Sequence, residues 1–560
     1  MKARINRSMN SLKTLDLVTK KVFLIGILLL LGIFSCKNKN EDATDLNQSE
    51  EPSEETTLGT KNSISKILSS PKSDELFLSD SVKKFYEKKE YLPTWSNNKL
   101  REGFIETLKN AEAEGLYFKD YHGNEIEAIE GSLNSQNNNE KSRYDILLTD
   151  AFFKFSSHLL NGKTNPQKIH EIFDLPKNRA NLSVLLNNAL AKNDLEIAFN
   201  ELRPNNPVYS QLIVSLKEYK EKLKDSVEFK EIDGGEMIKP GMQDARLQKI
   251  KFRLMVLGYL KDIDPFTNDY SQPVQDAIKQ IQLENGLLSD GIVGNSTIKL
   301  LNIDYKARYN QVLANLERWR WYPRDLGEHY ILVNIANYHL EVIKDNKIIS
   351  SHKIMVGTDL RKTPIFSDEI EYIVFNPNWT IPPTIKNKDV IPGVRKDSSY
   401  LKRKNIDIYS SNGELLNPNE VDWNSNKVRS YTYRQKPGSS NPLGKVKIIY
   451  PNKHLIYLHD TPSKSLFARN SRAQSSGCIR VENVMELVEY LLSDQSDYNS
   501  GKINEILEKG KLKQVQMDQR VTVHHLYWTA WIENGKPRFT EDIYNYDEKI
   551  IEELNKVSKP

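Results

Sequence analysis

A chain of 560 residues with 38% hydrophobic and 28% charged residues and a mean hydropathy of −0.59 excludes a polytopic membrane protein. It still holds apolar material for about two to four separate cores. The 79 Lys+Arg and 75 Asp+Glu residues leave a net charge of only +4, with both signs spread along the chain, which argues against a dedicated nucleic-acid binder. The two cysteines, Cys36 and Cys478, stand in very different surroundings.

The N-terminus reads as an export signal. Lys2, Arg4, Arg7, Lys13, Lys20 and Lys21 precede an apolar run from Val22 to Phe34, which at 13 residues suits a signal-peptide core. A membrane-crossing helix needs roughly 20 such residues. Ile33-Phe34-Ser35-Cys36 resembles the lipobox of bacterial lipoproteins, so the expectation for 1–36 is a lipoprotein-type signal peptide with lipidated Cys36 as the membrane anchor. The protein is then exported and periplasmic. An uncleaved signal anchor is the alternative, and Met9 is a second possible start. Lipidation of Cys36 leaves Cys478 without a partner in its own chain, and an unpaired thiol in an exported protein calls for a reason.

Residues 37–72 are polar and acidic, and the expectation is a flexible linker. From 73 to 240 the pattern is helical: Phe104, Ile105, Leu108 and Ala111 recur at helical spacing up to Gly115, Ile146 to Leu160 form a denser helix before Gly162, and Tyr209 to Leu223 form another. This predicts an all-α scaffold domain. A small helical unit follows over 241–303, with Leu247, Ile250, Leu254 and Leu257 ahead of Gly258 and a second helix from Val274 to Leu283. Its Asp290-Gly-Ile-Val-Gly294, with Thr297 and Leu300, resembles the helical peptidoglycan-binding module found beside bacterial wall enzymes.

At Tyr330 the period changes to two. Tyr330 to Ala336, Leu340 to Ile343 before the Asp345-Asn346 turn, Glu369 to Phe375, Val446 to Tyr450 and His454 to Leu458 read as strands of a predominantly β domain over 304–495. A charged stretch at about 386–434, with Pro392-Gly393, Trp423 and Tyr431, predicts an inserted lid lobe. After Cys478, Asn483 is expected to cap a helix with Glu486 and to be followed by Val484, Leu487, Val488 and Leu491 on one face. Residues 496–560 are expected to be a C-terminal extension packed on the β domain. The fold class is therefore α+β.

Cys478 lies in Gln474-Ser-Ser-Gly-Cys-Ile-Arg480, between a strand and a helix. Gly477 lets backbone approach a substrate, and the N–H groups of Gly477 and Cys478 are candidates to face a developing oxyanion. A thiolate nucleophile needs a base or cation, and among 10 histidines His459, in Tyr457-Leu-His-Asp-Thr-Pro462 and 19 residues upstream, is the leading candidate. Arg480 is placed to meet a substrate carboxylate or to form a structural ion pair, and Ser476 and Tyr457 complete the candidate binding residues. His524-His525 lack acidic or thiol co-ligands, and no HExxH or phosphate-loop pattern is present, so no cofactor or metal is expected.

His459-Asp-Thr-Pro462 and Ser475-Ser-Gly-Cys-Ile-Arg480 together resemble the signature of the bacterial L,D-transpeptidases. Asn376-Pro-Asn-Trp-Thr-Ile-Pro-Pro383, Arg434-Gln-Lys-Pro-Gly438 and Asn441-Pro-Leu-Gly444 extend the likeness to the larger periplasmic members with a scaffold domain and a wall-binding-like module. The resemblance implies a ping-pong reaction on peptidoglycan stem peptides, in which Cys478 attacks a tetrapeptide donor at diaminopimelate, releases D-alanine and passes the acyl group to an acceptor stem. His459 would move the protons. It also implies sensitivity to carbapenems. Two alternatives stand beside it: a non-catalytic lipoprotein tethering membrane to wall, and L,D-carboxypeptidase activity as the main reaction.

Overall fold

The computed structural model describes residues 54–224 and 230–557, so the leader, Cys36 and the first part of the expected linker lie outside the described residues. Among the described residues no helix is long and apolar enough to cross a membrane. The linker ends sooner than the sequence suggested. Glu54–Leu68 is a helix whose Ile64 and Leu68 are buried in the scaffold core, because those two apolar residues fall four apart on one face of a mostly polar helix.

The scaffold is built round the long helix Asn138–Asn161, which packs Phe152 and Phe155 against Phe104 and Phe199. The buried Asp145 of this helix accepts the backbone N–H groups of Thr94 and Trp95 and the Tyr86 hydroxyl, which satisfies a carboxylate that burial would otherwise penalise. Gly162 ends the helix at φ +79°, as its position suggested. The scaffold is not wholly helical and does not stay apart. Its β1 (Phe173–Asp174) pairs in parallel with a strand of the main sheet. Its last helix, Pro207–Lys224, buries Tyr209, Leu212 and Leu216 in the core of the β domain. Each such side chain contributes about 1.5–3 kcal/mol of burial. They meet the helix Tyr305–Trp321, where the fully buried Arg320 pairs with Glu317 and donates to the Tyr209 hydroxyl.

The small module has helices Arg246–Val256, Gln272–Glu284 and Asn295–Leu301 around its own core of Leu247, Leu254, Ile278 and Leu301. Gly258, Gly286 and Gly291 take the positive φ angles that end its helices and form its turns. The Leu288 N–H of this module donates to the Asn470 side chain, in the loop ahead of Cys478.

The β domain continues with β2 (His329–Asn334), β3 (His339–Lys344), β4 (Lys347–Gly357), β5 (Ile365–Glu369) and β6 (Tyr372–Phe375). Asp345 and Asn346, both at positive φ, make the β3–β4 turn. The lobe supplies β7 (Trp379–Thr380), β8 (Ile406–Tyr409), β9 (Leu415–Leu416) and β10 (Thr432–Gln435). Then come β11 (Val446–Ile449), β12 (Leu458–His459), β13 (Ala473–Ser475), β14 (Ile479–Val481), β15 (Lys513–Gln516) and β16 (Thr522–Leu526). The main sheet runs β1-β5-β16-β2-β3-β4-β14-β12-β11-β6-β15, with β13 alongside β4.

Three expectations change here. The C-terminal segment does not merely pack on the β domain: β16 is an interior strand between β2 and β5, and β15 forms an edge. The strand expected at His454–Leu458 is only Leu458–His459, because Leu455 takes a left-handed conformation at φ +58° that no ladder accepts. Asn483 does not cap the helix Val484–Leu491 with its side chain; it enters the left-handed region at φ +51°.

The lobe has its own sheet, β7-β10-β8-β9, and its own core of Ile391, Val394, Leu401, Ile408 and Tyr433. It begins at Trp379, earlier than the charge pattern indicated, and Trp379 packs against that core. The neck is closed by antiparallel pairing of Trp379 with Gln435 and of Thr380 with Arg434.

Candidate active site

Strand alternation assembles the site. Ile448, Leu458, Ile479 and Val481 of β11, β12 and β14 are buried in the core. The residues between them face the opposite way. The register sets Lys447 beside His459 and His459 beside Arg480. Tyr457 and Cys478 stand one step earlier, where the Tyr457 carbonyl accepts the Ile479 N–H at 3.1 Å. Lys447, Tyr457, His459, Cys478 and Arg480 therefore share one face of three neighbouring strands.

His459 is buried, and its Nδ1 lies 2.5 Å from the Asp460 carbonyl oxygen. A carbonyl only accepts, so Nδ1 carries the proton, and the neutral ring presents a lone pair at Nε2. Burial, reinforced by the Arg480 guanidinium, pushes His459 down to about 3, so the ring is neutral at physiological pH. Asp460 is itself held in place: its carboxylate accepts the Lys445 N–H at 2.9 Å and pairs with Lys464. Gly444 brings the chain so close that a Cβ there would fall 2.3 Å from Asp460 Oδ2, and its φ is +60°. The Asn441 side chain, fully buried, ties that turn to the Pro377 and Lys436 carbonyls. Gly444→Ala should displace Asp460 and with it the imidazole. Turnover should drop at least about tenfold for a stability loss of about 1–2 kcal/mol. Steady-state rates and thermal melts measure both, and unchanged turnover would show that Asp460 does not set the ring.

Cys478 precedes β14 and is half-buried, its thiol 3.6 Å from the Leu455 carbonyl. Burial pushes the thiol up, while Tyr457, Lys447 and Arg480 pull it the other way. The turn before it is braced from several sides. Gly477 takes φ +114°, and the nearest atom to a Cβ there would be 3.5 Å away, so conformation rather than space demands glycine. The Ser475 hydroxyl donates to the Cys478 carbonyl at 2.6 Å and accepts the Gly477 N–H at 3.1 Å. The Thr363 hydroxyl donates to the Gly477 carbonyl and accepts the Gly357 N–H. Buried Tyr544, from the C-terminal segment, donates to the Gly357 carbonyl and accepts the Thr363 N–H.

These bonds correct one expectation. The Gly477 N–H is consumed by Ser475, so of the two backbone donors suggested for an oxyanion only that of Cys478 lacks a partner among the described residues. Ser476 is exposed and accepts from Arg361 Nη1 at 2.8 Å. Arg480 forms no ion pair among the described residues; its Nη1 lies 4.0 Å from Met355 Sδ and its Nε is buried without a hydrogen-bond partner. No bond joins the thiol to Nε2 in this structure. The two strands place the groups one register step apart on the same face.

Sequence reasoning missed Lys447, Ser475, Thr363 and Tyr544. Lys447 left a signal, as the single cation in the apolar strand Val446 to Tyr450. Thr363 and Tyr544 left none, being distant in sequence. His524 bonds Ser367 and the Leu326 carbonyl, and His525 bonds the Tyr450 hydroxyl.

Comparison with known proteins gives three domain matches: a scaffold domain over 80–216, a "Putative peptidoglycan binding domain" over 243–301 and an L,D-transpeptidase catalytic domain over 328–511. The last spans every residue of the site built on β11, β12 and β14. Residues 328–511 carry an L,D-transpeptidase catalytic domain. A "Putative L,D-transpeptidase" of Haemophilus influenzae is 37% identical over 299 residues, 51% of this chain and 60% of that protein. The chain thus matches less than two thirds of that curated relative's length. Solved L,D-transpeptidases resemble it more distantly. The Xylanimonas cellulosilytica structure is 14% identical, covering 52% of this chain and 99% of its own, with a TM-score of 0.17. The Stackebrandtia nassauensis structure is 13% identical, covering 54% and 97%, with a TM-score of 0.20. Scores this low carry no argument about the site.

Proposed function

We propose that this protein is an L,D-transpeptidase that joins peptidoglycan stem peptides through an acyl-enzyme on Cys478. The observation that carries the reading is the neutral His459, with Nδ1 spent on the Asp460 carbonyl and Nε2 free, on the same sheet face as the thiol and one register step away. His459 Nε2 takes the thiol proton as sulfur attacks the diaminopimelate carbonyl of a tetrapeptide donor. The Cys478 N–H supports the oxyanion, and the same proton passes to the departing D-alanine amine. The acceptor amine then repeats the sequence in reverse. Arg480, a guanidinium without a carboxylate partner, is suited to a stem carboxylate. Burying such a cation unpaired is costly, and a substrate anion offsets that cost. The test is incubation with purified tetrapeptide stems: D-alanine should be released together with dimers joined through diaminopimelate, and neither product should appear without the protein. Release of D-alanine with no dimer would make carboxypeptidase activity the main reaction.

The lobe enters this reading as a lid. Its neck leaves β6 at Phe375 and returns to β11 at Val446; these two residues are paired, and the Val446 carbonyl accepts the Asp460 N–H next to His459. A lid at this end of the sheet would hold an acceptor stem and restrict water. Because the neck strands are paired and the lobe has its own core, a short Gly-Ser bridge from Trp379 to Gln435 should leave the main sheet folded. Thiol labelling should persist while products shift from dimer to hydrolysis. An unchanged ratio in a folded deletion contradicts the lid role.

A further inference from the structure

Two cations face the thiol, and only one of them is accounted for by a substrate carboxylate. Lys447 lies on β11 opposite His459, which places its side chain on the site face. Its Nζ stands 5.2 Å over the Tyr457 ring, and Tyr457 is the residue beside Cys478 across the β12–β14 pairing. On its other flank, β6 sets buried Val374 opposite Lys447, an apolar neighbour. The ammonium is half-buried and forms no ion pair with a carboxylate among the described residues. The nearest acid on the neighbouring strand, Asp460, is engaged by Lys464 and the Lys445 N–H. A half-buried cation with no counter-charge is costly, so a site that keeps one implies that an anion forms there.

We propose that Lys447 is the counter-cation of the Cys478 thiolate, stabilising that anion where it forms by a contact separate from His459. This rests on the reading of Cys478 as the nucleophile. In the catalytic step, the S–H bond breaks, sulfur keeps the electron pair, the proton goes to His459 Nε2 and from there to the leaving amine, and Lys447 remains an ammonium throughout. Each anion of the loaded site then faces a cation, the thiolate Lys447 and the substrate carboxylate Arg480. His459 cannot serve as the standing counter-cation, because burial between Arg480 and Lys447 keeps it neutral in the empty site. Burial likewise lowers Lys447, and the charge opposing that shift is Cys478. The titratable and charged groups around the thiol are thus Lys447, Tyr450, Tyr457, His459 and Arg480; Val374 of β6 and Met355 of β4 add none.

The test is the pH profile of Cys478 alkylation by iodoacetamide in the full chain, read by peptide mass for wild type, Lys447→Met, Lys447→Arg and His459→Gln. Lys447→Met should move the profile up by about one pH unit, so that labelling at neutral pH drops about tenfold. Lys447→Arg should restore most of it, which loss of packing alone would not predict. His459→Gln should leave the midpoint nearly in place. A Lys447→Met profile coincident with wild type, or a larger displacement in His459→Gln than in Lys447→Met, overturns the proposal. If Lys447→Met does not fold, Lys447→Gln replaces it with the same two outcomes. Because labelling reads the thiol and not turnover, a Lys447-dependent profile in a chain that makes no dimer would overturn the proposed function and leave this inference standing.

Discussion

Replacing Cys478 with alanine is expected to end stem-peptide cross-linking, with a loss of at least about a thousandfold, while the fold persists. The stability change should be small, about 1 kcal/mol, because the half-buried thiol makes a long contact with the Leu455 carbonyl and contacts to Tyr457 that are worth little to a neutral thiol. Cys478→Ser should be nearly as inactive. A hydroxyl titrates far above a thiol, and the surrounding groups shift a pKa by only a few units, so little alkoxide forms. Product analysis beside circular dichroism separates loss of chemistry from loss of fold. Activity above background in Cys478→Ala would remove the nucleophile from the account.

His459→Ala is expected to cost almost as much, about a hundred- to a thousandfold, and the double variant with Cys478→Ala should be little worse than either alone, since the two act as a unit. Additive losses would mean that another group takes the proton. The pH profile carries a second signature. His459 is held down to about 3 by burial and by Arg480, below the ordinary imidazole value of about 6.5, so it stays neutral as pH falls through that range. In kcat/KM, which reports the free enzyme, the acid limb near 6.5 should therefore be missing, and activity should rise on the alkaline side as the thiol ionises. The same depression affects stability. The unfolded chain takes up a proton below about 6.5 that folded His459 refuses, so stability is full above that pH and declines as pH falls towards about 3. An acid limb in kcat/KM at an ordinary imidazole value, abolished in His459→Gln, would place His459 in a wetter setting than this sheet face.

The contrast between what the residues announced and what they concealed follows from how each signal is encoded. Helices with apolar residues at helical spacing and a closing glycine, such as those ending at Gly115 and Gly162, were legible because pattern and punctuation are local. The β-hairpin at Asp345-Asn346 was legible for the same reason. The helix Glu54–Leu68 was hidden because, among its described apolar side chains, only Ile64 and Leu68 are buried, and the partners that justify their burial lie in the scaffold core. The insertion of β16 between β2 and β5 depends on pairings across 153 to 192 residues, which no short window carries. At the site, Cys478 and His459 were found because their neighbours form a recognisable motif. The oxyanion expectation failed at Gly477 because the Ser475 hydroxyl competes for its N–H, a contact that depends on the exact turn. The support from Thr363 and Tyr544 is tertiary throughout.

The most direct measurement of the central claim is the intact mass of the protein after brief mixing with a tetrapeptide stem, quenched in acid and followed by peptide mapping. A covalent increment equal to the stem less its terminal D-alanine is expected, carried on Cys478 and absent in Cys478→Ala. Cross-linked product from an enzyme that never shows this increment, or an increment carried on another residue, would contradict it.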